Sequence, residues 1–187
     1  MLIAKDQERA SGYLSPERIQ TLTDVAAQQG AWWFAMLMVR SGRASIAWIG
    51  TALIVLGHLG FSQSRRGRIL AIALFASALG LTVDSTLRAL GAVEFPSATS
   101  ALLPPAWMVG LWAAFGVSFL RSLSWLPTLP LWTLGPLGGA AGVIAYRAGA
   151  ALGVLDVEPS LQGHGSVAFA WALAIVSLSL FARRLER

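Results

Sequence analysis

The chain has no cysteine. That excludes disulfides, thiolate metal sites, thioether haem attachment and a cysteine nucleophile, and it leaves the redox compartment undetermined. Histidine is nearly as scarce: His58 and His164 are too few for a zinc site built from protein ligands alone. The third shortage is charge. Charged residues occupy 12% of the 187 positions, against about 25% in an average soluble domain, too few to cover the surface of a water-soluble fold of this length. Also missing are a phosphate-cradling glycine loop, an HExxH pair, a nucleophile beside its base and a pair of catalytic carboxylates. No cofactor and no metal are expected, and an enzyme is the less favoured reading.

What is present in quantity is apolar. Hydrophobic residues make up 56% of the chain and the mean hydropathy is +0.64, values of a multi-pass membrane protein. Six apolar segments, at roughly 23–39, 44–61, 68–87, 105–121, 131–149 and 165–182, each approach the length that crosses a bilayer at 1.5 Å per residue. The fold class expected is all-α: a six-transmembrane-helix bundle over residues 23–187, preceded by a cytoplasmic N-terminal extension, 1–22. Ser15-Pro16-Glu17 supplies an N-cap, a first-turn proline and a first-turn acid, so a helix starts there. The first apolar run begins near Val25, contains Gln28 and Gln29 and lacks a small-residue cleavage site, so no signal peptide is expected.

The net charge of +5 would suggest nucleic acid in a soluble protein. Here the basic residues gather in short segments between apolar runs, as topology signals do, and no nucleic-acid partner is expected. With the N-terminus inside, the inner side holds Lys5, Arg9, Arg18, Arg65, Arg66, Arg68, Arg121, Arg183, Arg184 and Arg187, and the outer side only Arg40, Arg43, Arg88 and Arg147. Both termini are therefore expected in the cytoplasm. Trp48 and Trp107 fall near the outer boundary, Trp125 and Trp132 near the inner.

Within the third segment Asp84 and Arg88 stand four residues apart, on one helix face. Counted from Gly67, Asp84 lies about 25 Å up the helix axis, and Tyr146 and Arg147 reach about 22 to 24 Å on the fifth segment. Asp84, Arg88, Tyr146 and Arg147 thus form a candidate outer polar layer. An ionised side chain at such depth requires a partner. The plainer reading is an ion pair of Asp84 with Arg88 or Arg147 that locks two helices; the functional one is a polar pocket opening outward, in which Asp84 takes a proton or contacts a headgroup. Trp107 and Trp112, with Trp32 and Trp33, are candidate cavity aromatics, although aromatic packing explains them as well. Gly138, Gly142, Gly149 and Gly153 belong to a small-residue stripe suited to close helix packing, within the chain or across a dimer. Interhelical hydrogen bonding is the default for Gln28 and Gln29, and His58 reads as a packed or interfacial residue.

The run from Asp84-Ser85 through Gly91 and Phe95, then Pro105-x-Trp107, Trp112, Phe115, Ser122-Leu123-x-Trp125-Leu126, Gly138 and Tyr146-x-x-Gly149-x-x-Leu152-Gly153 resembles an uncharacterised bacterial inner-membrane family, domain of unknown function 2878. The likeness covers about residues 25 to 183, with diffuse motifs and no catalytic residue to carry over. The resemblance implies a small multi-pass protein of the bacterial inner (plasma) membrane. Genes of that family often lie near those for fatty-acid modification such as cyclopropane synthesis, which implies lipid work. The expected function is to bind or present a membrane lipid, or to assist a membrane protein or lipid-modifying enzyme as partner; the alternative is a small proton-coupled transporter using Asp84.

Overall fold

A computed structural model describes residues 15–187. Of the expected N-terminal extension, residues 1–14 lie outside the described residues. The six apolar segments each coincide with a helix: α1 (Pro16–Arg40), α2 (Ile49–Phe61), α3 (Arg66–Ala89), α4 (Ala106–Ser118), α5 (Leu131–Ala151) and α6 (Leu161–Leu185). Among the described residues three stretches are long and apolar enough to cross a membrane: Ala44–Phe61, which adds a short 3-10 turn to α2, Gln63–Ala89 and Leu161–Leu185. Helix α4 is apolar but shorter.

The helix starts follow the local chemistry. Ser15 caps α1, its hydroxyl accepting the Arg18 N–H at 3.4 Å, with Pro16 in the first turn. Pro105 and Pro130 precede α4 and α5 with φ of -66° and -63°, the angle the proline ring imposes. Ser160 caps α6 by accepting the Gly163 N–H at 3.1 Å.

Packing is densest where glycine lets backbones meet. Helix α5 lies along α6, and a Cβ on Gly139 would stand 2.9 Å from the Ala168 carbonyl, one on Gly138 2.6 Å from Ile175. Helix α4 lies along α3, where Gly116 faces Ala76 and the Ile72 carbonyl. Helix α6 also packs on α3, with Phe75 and Phe181 stacked at 4.2 Å, while α1 and α2 pack on each other and on α4. The small-residue stripe therefore serves contacts inside the chain. Gly153 is not part of it: it follows the end of α5 with φ +71° and has open space around it, a left-handed turn that glycine takes without strain.

The helical expectation holds, and the structure adds one feature to it. The loops after α3 and α5 pair as a minimal antiparallel ladder, β1 (Val93–Glu94) with β2 (Asp156–Val157), Val93 opposite Val157 and Glu94 opposite Asp156. Two like charges face each other there, an unfavourable pair, and the Arg88 guanidinium offsets it by binding Glu94 at 2.7 Å. The ladder caps the end of the bundle where α3 and α5 finish.

Candidate functional site

Asp84 has no solvent exposure at all. Its Oδ2 accepts the Trp112 indole N–H at 2.9 Å and its Oδ1 accepts the Tyr146 hydroxyl, so one carboxylate ties α3 to α4 and α5. Gly80 stands one turn before Asp84 on the same face, and a Cβ there would lie 2.0 Å from Trp112 Cγ. The absence of a side chain lets the indole lie against α3 with its N–H on Asp84. The same device recurs on α5. Gly142 stands one turn before Tyr146, and a Cβ on it would lie 2.1 Å from Cγ of Trp171 on α6. The two seated indoles meet at 4.8 Å between ring centroids, and Trp171 receives Tyr146 edge-on at 5.9 Å.

These rings wall a cavity of about 100 Å³ among α1, α4, α5 and α6, to which Gln28, Trp32 and Met36 contribute from α1, Met108 and Phe115 from α4, and Ala145 and Gly149 from α5. Among the described residues no Lys, Arg, His, Asp or Glu lines it. Two polar atoms buried there have no hydrogen-bond partner among the described residues: Gln28 Oε1 and Trp171 Nε1. The Tyr146 hydroxyl lies near the latter but outside hydrogen-bonding geometry. Asp84 sits behind this wall, bonded to Trp112 and Tyr146 but not lining the space. With two acceptors filled and no exposed face, it orients side chains that do line it.

The expected outer layer of four residues thus divides. Asp84 and Tyr146 meet; neither arginine joins them. Arg88 turns to the 95–105 loop, donating to the Ser100 carbonyl at 2.8 Å, to the Leu103 carbonyl, and to Glu94. Arg147 is exposed, with no acidic partner within ion-pair distance among the described residues. The Asp84–arginine pair is therefore replaced by neutral donors. Trp112 and Trp32 line the cavity; Trp107 does not. It is fully buried under the same loop, donating to Ser97 at 3.1 Å and meeting Phe95 edge-on at 6.0 Å, and Trp33 is half exposed. Among the described residues Gln28 makes no interhelical hydrogen bond, contrary to expectation.

At the opposite end a second polar group forms from residues the sequence does not group. Asp24 on α1 binds Arg121 at 3.0 Å and faces His58 Nε2 at 3.6 Å, and Arg121 reaches Ser62 at 3.4 Å. The other ring nitrogen of His58 lies 2.8 Å from the Ile54 carbonyl. This ties α1, α2 and the turn after α4 together. Among the described residues no three His, Asp or Glu side chains converge as metal ligands.

No curated protein and no solved structure matches the chain. A family model does, over residues 21–177, a span that holds Asp84, both of its donors and every residue named around the cavity; the chain belongs to the family described as protein of unknown function (DUF2878).

Proposed function

We propose that the chain is a six-span protein of the bacterial inner membrane, with both termini in the cytoplasm, that binds or presents a membrane lipid. The observation that carries the reading is the cavity among α1, α4, α5 and α6, walled by aromatic, methionine and leucine side chains, the surface that complements a hydrocarbon chain. Two features support the membrane setting. Large apolar residues stand exposed on every helix except α4, among them Leu53, Phe61, Leu74, Ile144, Phe169 and Leu173, more than a water-soluble monomer displays. The cavity also lies between α1 and α5, and Gln28, Trp32 and Ala145 at its edge are half-buried, so a chain in the bilayer has lateral access.

A proton-coupled transporter is the weaker reading, because a carboxylate that carries protons needs an aqueous path and Asp84 has no exposed face. The test is native mass spectrometry of the protein in mild detergent, beside an Ala145→Phe variant that fills the cavity from its edge. A lipid retained by the parent and lost from a variant of equal thermal stability supports the proposal. No retained lipid, or equal retention in both, overturns it.

A further inference from the structure

Resting on the lipid-binding reading, we propose that the cavity selects an uncharged, hydroxyl-bearing lipid and takes its hydroxyl end between Trp171 and Gln28. Among the described residues the wall contains no cation to receive a phosphate or carboxylate and no anion to receive an amine, so a charged headgroup would lose its hydration there without compensation. The wall is not wholly apolar either. Trp171 Nε1, on a side chain more than nine-tenths buried, is a donor with no acceptor, and the buried Gln28 Oε1 is an acceptor with no donor. A hydroxyl supplies one acceptor and one donor, the complement of that pair.

The two atoms come from helices that end on the same side of the bundle, since Arg40 at the end of α1 donates to the Leu152 carbonyl just after α5, shortly before α6 begins. At 1.5 Å per residue Gln28 lies roughly 18 Å from the Arg40 end of α1 and Trp171 roughly 15 Å from the Leu161 end of α6, so they sit at a common depth. At that depth bare hydrocarbon offers a hydroxyl no partner, which makes two waiting partners a basis for selection. Volume sets the fit. A cavity of about 100 Å³ is smaller than the roughly 150 Å³ that holds one benzene, so it takes the end of a chain and leaves the rest between α1 and α5.

The experiment uses the full chain in lipid nanodiscs with three photoreactive diazirine probes of one chain length: a dodecyl alcohol, the matching alkane and the matching alkyl phosphate. Cross-links are mapped by mass spectrometry. The expected result is that the alcohol labels cavity-lining peptides of α1, α4 and α6 about fivefold more than the other two, the factor one buried hydrogen bond supplies. Trp171→Phe and Gln28→Leu should each abolish that preference while alkane labelling stays unchanged. If Trp171→Phe does not fold, Gln28→Leu decides alone. Equal labelling by all three probes, or a preference that survives the variants, overturns the hydroxyl assignment and leaves the lipid pocket standing. Labelling of these peptides by none of them overturns the lipid-binding reading itself.

Discussion

Trp112 and Tyr146 both donate to Asp84, so acceptor capacity at position 84 matters more than charge. An indole N–H is only a donor, whereas a phenolic hydroxyl also accepts. Asp84→Asn can therefore turn its carbonyl to Trp112 and its amide to Tyr146, and the melting temperature in detergent should stay near that of the parent. Asp84→Leu leaves two buried donors unpaired and should cost about 2 to 6 kcal/mol, at about 1 to 3 for each. An Asn variant as unstable as the Leu variant would show that the charge itself is needed. A carboxylate outside the helices behaves differently. Hydrogen bonds from the Ser160 hydroxyl and backbone N–H hold Glu158 below its ordinary 4.5. A lowered folded-state value means stabilisation present above pH 4.5 and lost as the pH falls through the folded value. Glu158 is fully exposed, so the effect is small, and amide protection at the start of α6, taken relative to the intrinsic exchange rate at each pH, is where it should appear: lower in acid for the parent, and without that added acid dependence in Glu158→Gln. The sequence marks Asp84 as anomalous, and helix depth brings it to Tyr146. Depth also places Arg88 and Arg147 there, wrongly. It counts along the axis and is blind to the 100° between neighbouring residues, which turns Arg147 outward while Tyr146 faces in. Arg88 shares Asp84's face, yet its long side chain reaches past the helix end to the loop.

The pairs Gly80–Asp84 and Gly142–Tyr146 follow one plan at the scale of the helix: a glycine seats an indole and the residue one turn on faces the core. Spacing of small residues announces close approach, but not whether a backbone or a ring will approach. Here Gly138 and Gly139 receive a neighbouring helix, and Gly80 and Gly142 receive tryptophans. Gly80→Ala and Gly142→Ala should each destabilise by about 1 to 3 kcal/mol through overpacking and shift tryptophan emission. Gly57, within α2, has nothing within 4 Å of a built Cβ, so Gly57→Ala should be neutral or stabilising by up to about 1 kcal/mol. Thermal unfolding of the three variants in one detergent checks both, and equal losses at all three would refute this account of the glycines.

Over the whole molecule, the basic residues and the cavity make linked demands. If the stretch 62–68, with its three arginines, is cytoplasmic, the β1–β2 ladder and the Arg88 loop face outward, and the cavity opens within the bilayer between them. A chain without cysteine is already the background for accessibility mapping. Thr99→Cys, in the loop held by Arg88, should react with a membrane-impermeant maleimide added to spheroplasts. Ser64→Cys should react only after the membrane is permeabilised. The reverse pattern would invert the topology and move Asp84 to the cytoplasmic side.

The sequence by itself determined the six helices, because apolar runs of helical length are local signals, and Ser15 marks the first start within about a turn. It also determined that Asp84 needs a partner, since burial of a charge is costly whatever surrounds it. Only the tertiary structure decided which partners answer. Trp112 lies 28 residues away and Tyr146 62, and what joins them to Asp84 is the rotation of α4 and α5 about their axes, fixed by rings seated on Gly80 and Gly142. The β1–β2 ladder and the cavity have the same origin: two strands of two residues carry no periodicity, and a space between four helices belongs to no one of them.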